Sequence, residues 1–527
     1  MFCLKKENSF IKAGAILVVS GFIVKRLSAA YRIPLTRMLG ASLMGKYSAV
    51  INIFMPFFSF ATAGIVPAVA RYTAVIREEN DDIAISQLSK QALGLYISVA
   101  AVLAIGFIAF GRWYSLYNGE NLYFTGAIIL APAIPLAAME MVFKGVTQGK
   151  MDMLITAKSN VIEGVVKTVF GIATVFLAVN YMAQYHKDLP VALCLGSVTV
   201  SGFVCTAYLT GKVKIPRYKK CIFSNINIKK QLISVSVPIA ASALVVSLVN
   251  FFDTAVCLPI IKNLPYGEIV QSFDGASFMG AEEVSVYLLG IYQGMVLTVF
   301  NLVPVIMSLV GMACMPVITR AQTFADKTYL YRQVDRLYRV TAFLSVPASV
   351  FIFCFRREIT MFLFGTSAGQ TEIAAQLMAI IIPFTVPCCF ISSFNAIINA
   401  YGKSKVSFKI LVVASLVRCV LSFVLCSCSG VNIKAFAVSA AVFYTIIFVI
   451  NGVYICRLGI KFNPFKIIMP PVLVAVIMAV VLHIFIGPMV SFLPLVLKLL
   501  LQGIIFCTGY MLMVYITGFT VDIYDKK

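Results

Sequence analysis

The stretch at 47–71, YSAVINIFMPFFSFATAGIVPAVAR, runs from Tyr47 to Ala70 without a charged side chain and then meets Arg71. A bilayer's hydrocarbon core is about 30 Å thick and is crossed by about 20 apolar residues in a helix. The stretch therefore reads as one membrane span. Comparable uncharged runs recur at 91–111, 189–211, 231–252, 284–319, 373–402, 435–456, 467–497 and 499–521. Across 527 residues, 61% are hydrophobic and 12% charged, against roughly 25% charged in soluble domains. So few polar side chains cannot cover a water-facing surface, and the chain is expected to be a polytopic membrane protein.

The spans are uniformly apolar and about twenty residues or longer, whereas barrel strands are about ten residues and alternate. The fold class is thus all-α, with about fourteen transmembrane helices, expected at 10–36, 47–71, 90–112, 122–144, 156–183, 189–211, 231–258, 284–312, 333–355, 373–399, 406–428, 433–456, 467–487 and 494–518. They are numbered spans 1 to 14. Residues 1–36 carry Lys5, Lys6 and Lys12 ahead of an apolar run, as a signal peptide does, but no cleavage segment follows. They read as a retained first helix.

Lys and Arg gather in the even-numbered connections, from Arg71, Arg77 and Lys90, through Lys144, Lys150 and Lys158 and the basic segment 212–230, to Arg457, Lys461 and Lys466. Basic loops stay in the cytoplasm. Both termini are therefore expected inside. The net charge of +22 is accounted for by anionic lipid headgroups, and no nucleic-acid motif calls for that partner.

Other chemistries lack their residues. The fourteen cysteines lie mostly inside apolar runs and His186 and His483 are the only histidines, so neither a zinc site nor a histidine-based triad is expected. No Walker A motif is present. The chain is read as no enzyme, with no metal and no cofactor beyond a coupling monovalent cation or proton.

The end of the opening stretch has an echo. Gly64-Ile65-Val66-Pro67-Ala68-Val69-Ala70-Arg71 matches Ala313-Cys314-Met315-Pro316-Val317-Ile318-Thr319-Arg320, and Gln148-Gly149-Lys150 matches Tyr401-Gly402-Lys403. Spans 1–6 thus read as repeated in spans 7–12, which divides the chain into 1–220, 221–460 and a two-span addition at 461–527. Parallel repeats of this kind are a common basis for alternating access. Pro132 and Pro135 in span 4 recur as Pro383 and Pro387 in span 10. Each proline removes a helical hydrogen bond, so the pairs either hinge or line a pathway, or bend helices for packing.

Charges inside spans are costly and mark sites or partners. Span 1 holds Lys25, Arg26 and Arg32, and at 3.6 residues per turn Lys25 and Arg32 share a face. Such a face suits an anion, because arginine's fork fits two phosphate oxygens; pairing with interior acids or snorkelling of Arg32 is the alternative. Arg418 in span 11 is a second anion-contact candidate. Glu163 and Lys167 stand i,i+4 and can pair or touch substrate. Asp253 in span 7 is a counter-charge, a coupling site or a salt-bridge member, and Glu140 lies near the end of span 4. Cations outnumber acids in this set, which favours an anionic substrate.

Gly21-Phe22-Ile23-Val24-Lys25-Arg26-Leu27-Ser28-Ala29-Ala30-Tyr31-Arg32-Ile33-Pro34-Leu35-Thr36-Arg37-Met38-Leu39-Gly40-Ala41, with Ala63-Gly64-Ile65, resembles the stage V sporulation protein B group. That group belongs to the polysaccharide-transport branch of the multidrug/oligosaccharidyl-lipid/polysaccharide exporter superfamily. The resemblance implies two six-helix bundles in a V shape plus two C-terminal helices, acting as a monomer. It implies export of an undecaprenyl-pyrophosphate-linked sugar, a peptidoglycan precursor or polysaccharide unit. By the same resemblance Lys25, Arg26 and Arg32 would hold the pyrophosphate, although related flippases carry Arg-Asp where this chain has Tyr31-Arg32. Spans 13 and 14 would form a groove for the lipid tail. A cation or drug exporter of the same superfamily and a scaffold for envelope or spore-coat assembly are the alternatives.

Overall fold

A computed structural model describes the backbone over residues 2–78, 82–182, 187–213, 228–265, 284–323, 327–428, 430–460, 462–486 and 493–516, with isolated residues between 267 and 273. Side chains are described from Ser20 onward, apart from residues 25, 26, 29, 182 and 316. Among these residues there is no strand. Thirteen helices are long and apolar enough to cross a membrane. The first of them, 30–77, contains a break at Gly40, whose φ of 70° is left-handed. Glycine adopts that conformation without a Cβ penalty. Since the chain is already helical from Phe2, dividing it at Gly40 restores the fourteen-span reading.

The helices outrun the expected spans at several ends. Span 3 is Asp82–Asn118 and span 5 is Met153–Leu177 with a further π-turn. Intrahelical hydrogen bonds do not stop where hydropathy falls, so a helix continues into the interface. Span 8 is assembled from Val284–Gly290, a π-turn at Ile291–Val296, Leu297–Phe300 and Leu302–Thr323.

The proline pairs break their helices at matching places. Span 4 is Leu122–Leu130 followed by Ala133–Gly149, with Pro132 in the break; span 10 is Ala368–Ile381, a 3₁₀ turn at Ile382–Phe384, and Thr385–Ala400. A carbonyl beside each break is taken up by a neighbouring span. Thr199 Oγ1 donates to the Ile129 carbonyl at 2.7 Å and Ser349 Oγ to the Ile382 carbonyl at 2.9 Å. The Ile382 carbonyl also accepts from the Thr385 backbone N–H, so the serine hydroxyl adds a tie between spans at the break.

The chain forms two compact units, Met1–Pro259 and Ile260–Lys527. Span 7, Ile228–Phe252, is counted with residues 221–460 in the six-plus-six division but packs within the first unit. There Gly64 lies so close to span 7 that a Cβ would meet the Ser236 carbonyl oxygen at 2.1 Å, while Ser59 and Ser247 hydroxyls bond at 2.7 Å. In the second unit Phe462, from the link between spans 12 and 13, sits among Tyr338, Phe390, Phe394 and Phe448 at ring separations of 5.0–5.9 Å. That cluster fixes the entry of span 13, Pro464–Val481, against span 9, Lys327–Cys354.

Candidate functional site

The first unit concentrates charge where spans 1, 4, 5 and 6 meet. Tyr31, 6% exposed, stands beside Arg32 on span 1. Its hydroxyl lies 3.1 Å from Cys194 Sγ and 3.4 Å from Ser197 Oγ, both on span 6. Gly171 on span 5 makes this possible, since a Cβ there would come within 2.8 Å of the Tyr31 ring. Four residues earlier on the same face, Lys167 Nζ stands 5.7 Å from the Tyr31 ring centroid, the arrangement in which an aromatic quadrupole attracts an ammonium. Arg32 is a further electrostatic neighbour of Lys167, and both are half-buried. Two cations and a tyrosine hydroxyl within one apolar bundle can hold an anion, not another cation. The side chains of Lys25 and Arg26 lie outside the described residues.

Glu163 does not form its ion pair with Lys167. It bonds Lys144 on span 4 at 3.5 Å, and Lys144 in turn closes on Glu140 one turn earlier in that helix. Lys144 and Glu140 side chains are 5% and 2% exposed, whereas Glu163 is 40% exposed. Counted in the sequence as one of the cytoplasmic loop cations, Lys144 is instead interior: span 4 continues to Gly149, and i,i+4 spacing places it above Glu140. Glu140, Glu163 and Cys205 also stand close enough to hold a metal ion, but the Lys144 ammonium already supplies the positive charge between the carboxylates.

Asp253, 2% exposed, occupies a π-turn of span 7 at Asp253–Cys257. Beside it Asn52 Nδ2 donates to Thr254 Oγ1 at 2.8 Å and the Tyr114 hydroxyl to the Thr254 carbonyl at 3.1 Å. The turn thus gathers spans 2, 3 and 7 within the first unit.

In the second unit Arg418 is the fifteenth residue of its helix, Ser404–Cys426, as Lys167 is of Met153–Leu177. Its guanidinium stands 5.7 Å from the Phe443 ring, and Tyr444 is an electrostatic neighbour. At 7% exposure it is more deeply buried than Lys167. Ser422 and Ser439 hydroxyls bond at 2.7 Å on the adjoining turn. Pro132, Pro135, Pro383 and Pro387 stand at or within a turn of the helix breaks, and Pro387 adjoins Cys388, a neighbour of Tyr444 beside Arg418. Sequence reading missed Tyr31 and Lys144 as members of this site; the i,i+4 relation of Lys144 to Glu140 was the available signal.

The comparisons agree with this architecture. Stage V sporulation protein B of Bacillus subtilis (strain 168) is 23% identical over 82% of this chain and 81% of its own length. Lipid II flippase MurJ of the same organism is 22% identical over 79% and 77%. Among solved structures, a lipid II flippase MurJ in an inward closed conformation superimposes with a TM-score of 0.66 at 14% identity, covering 95% of this chain and 98% of that one. An inward-facing multidrug resistance MATE family transporter of the MOP superfamily reaches 0.64 at 13% identity, over 82% and 94%. The fold is therefore that of polytopic helical transporters. The MatE pattern matches residues 277–424, and the polysaccharide biosynthesis protein pattern matches residues 10–322, more than half of the chain, which therefore belongs to the polysaccharide biosynthesis protein family.

Proposed function

We propose that this protein is a flippase that exports an undecaprenyl-pyrophosphate-linked sugar across a bacterial plasma membrane by alternating access. The observation that carries the reading is the cluster of Arg32, Lys167 and Tyr31 in the first unit, with Arg418 as its counterpart in the second. Cations held among apolar helices stay incompletely hydrated, so a diphosphate gains charge-assisted hydrogen bonds there that water would otherwise weaken. Arg32 and Arg418 offer planar forks to phosphate oxygens, and Lys167 serves as a point charge held by the Tyr31 ring. The match to relatives that include a lipid II flippase supports the same cargo class. The chain is oriented with both termini in the cytoplasm, as its basic connections favour. Asp253 is the residue assigned to cation or proton coupling, and the breaks at Pro132 and Pro383 are the hinges.

The experiment is flipping of a fluorescent undecaprenyl-pyrophosphate disaccharide by the purified chain in liposomes. Arg32→Ala and Arg418→Ala are each expected to lower the rate about tenfold or more, the equivalent of about 1.4 kcal/mol. Arg339→Ala, on the exposed surface with Asp335, should leave it unchanged. Absence of flipping by folded native protein under imposed proton and sodium gradients overturns the reading. The MatE match over residues 277–424 favours a second one, ion-coupled export of a small solute, which predicts drug efflux that survives Arg32→Ala.

A further inference from the structure

The second unit contains a cavity of about 590 Å³, within the roughly 300–1,000 Å³ range of ligand sites. Its walls are apolar: Val350 and Phe353 of span 9, Pro383 at the break of span 10, and Val476 and Val480 of span 13. Span 14 contributes no lining residue. Ser349 and Cys354 of span 9 also line it, and two lining residues are basic, Arg356 just past the end of span 9 and His483 in the last turn of span 13. Both lie at the ends of their spans remote from Lys327 and Pro464, so one end of the cavity is basic and the rest is hydrocarbon-like.

Arg356 is built into that end. It opens the helix Arg356–Phe364, its guanidinium stacks 5.1 Å from the Phe353 ring, and one nitrogen donates to the Phe353 carbonyl at 2.8 Å. Its Nε is buried with no hydrogen-bond partner. The neighbouring Arg357 is engaged by Glu372 at 2.9 Å, which raises its already high pKa, and Arg356 is a further electrostatic neighbour of that carboxylate. Along span 13, Val476 to His483 covers seven residues, about 10 Å of helix at about 1.5 Å each. That is most of one leaflet's hydrocarbon depth, since the full core is about 30 Å.

We infer that this cavity holds a resident anionic glycerophospholipid, its phosphate between Arg356 and His483 and one acyl chain along Phe353, Pro383, Val476 and Val480. Charge complementarity selects the occupant. A neutral chain alone would leave the Arg356 guanidinium without an anion in the cavity, and a free phosphate would leave the apolar walls empty. A phospholipid meets both requirements with one molecule. Its role is to tie spans 9, 10 and 13 together beside the span 10 break, and it is independent of the cargo.

The test is lipid retention, read by native mass spectrometry on the full chain after delipidation and re-addition of phosphatidylglycerol or phosphatidylcholine. Each basic group near a headgroup contributes about 1 kcal/mol, so the native chain should retain phosphatidylglycerol at least about fivefold better. Arg356→Ala combined with His483→Ala should erase the preference. Val480→Trp, on a half-exposed position that lines the cavity, should lower retention of both lipids while leaving the basic end intact, and it serves as the second test should the double variant fail to fold. Equal retention of the two lipids by the native chain, or an undiminished preference in the double variant, overturns the inference. So does displacement of phosphatidylglycerol by equimolar undecaprenyl phosphate, which would make the cavity a cargo site. Because retention is measured without transport, its outcome is separate from that of the flipping assay.

Discussion

Lys167 and Arg418 stand at the same step of corresponding helices, and each faces an aromatic ring at 5.7 Å. Their surroundings differ. Lys167 has Arg32 beside it and Glu163 one turn earlier, with Lys144 and Glu140 completing an ion network. The residue that matches Glu163 in the second unit is Ala414, fully buried, and Arg418 is surrounded by Phe443, Tyr444 and the Ser422–Ser439 pair. The two positions thus share a cation beside a ring, but the ring comes from span 1 in the first unit and from span 12 in the second, and only the first has acids at hand. A single guanidinium can be buried among hydroxyls and rings because it spreads its charge and is weakly hydrated; two cations in one bundle are easier to accommodate with carboxylates near by. Around these two cations, therefore, the first unit uses ion pairing and the second uses hydroxyl contacts and aromatic packing.

The contrast breaks most sharply at Lys144. Lys144→Met leaves Glu140 buried without its cation, and loss of one partner of a buried pair costs about 3–5 kcal/mol. Chemical denaturation of the detergent-solubilised protein should register that loss, and Glu140→Gln in the same chain should restore part of it. In the second unit the equivalent attack is milder. Thr341 and Ser393 hydroxyls, both buried, bond at 2.8 Å, so Thr341→Val should cost about 1–2 kcal/mol in the same assay. If the two variants were equally destabilised, the distinction between the units would be lost.

Gly171 and Ser422 extend the comparison to function, for each stands four residues beyond its cation. Gly171→Ala places a methyl group against Tyr31 and should cost about 1–3 kcal/mol of stability, with a fall in lipid flipping. Ser422→Ala removes only the bond to Ser439 and should cost about 1 kcal/mol. At the low end, Asp335→Asn severs the exposed pair with Arg339, and a shift of no more than about 0.5 kcal/mol is expected. A larger shift would show that this surface pair helps to hold span 9.

Much of this was legible along the chain. Uncharged runs located the spans, because transfer of a helix into hydrocarbon is close to a sum over its own residues. Pro132 and Pro383 marked the helix breaks, since a missing N–H is a local property of proline. The echo between the two halves pointed to related helices, and Arg418 stood out as a charge inside a span. Lys144 was misread because the span was ended too early; a lysine near a predicted boundary looks like a loop residue until its carboxylates are found. Tyr31 was read as a departure from a flippase motif, and its contact with Cys194 spans 163 residues of sequence. No periodicity could indicate it.

By itself, then, the amino-acid order determined that this is a polytopic helical protein, where its helices run, where two of them break and which interior residues are charged. Those properties follow from hydropathy and backbone chemistry acting locally. Only the tertiary structure decided that Glu163 bonds Lys144 while Lys167 turns to Tyr31, that span 7 packs with the first unit, and that Arg356 and His483 share one cavity. Each of these depends on the rotation and depth of packed helices. A few degrees about a helix axis exchange one neighbour for another without changing a residue.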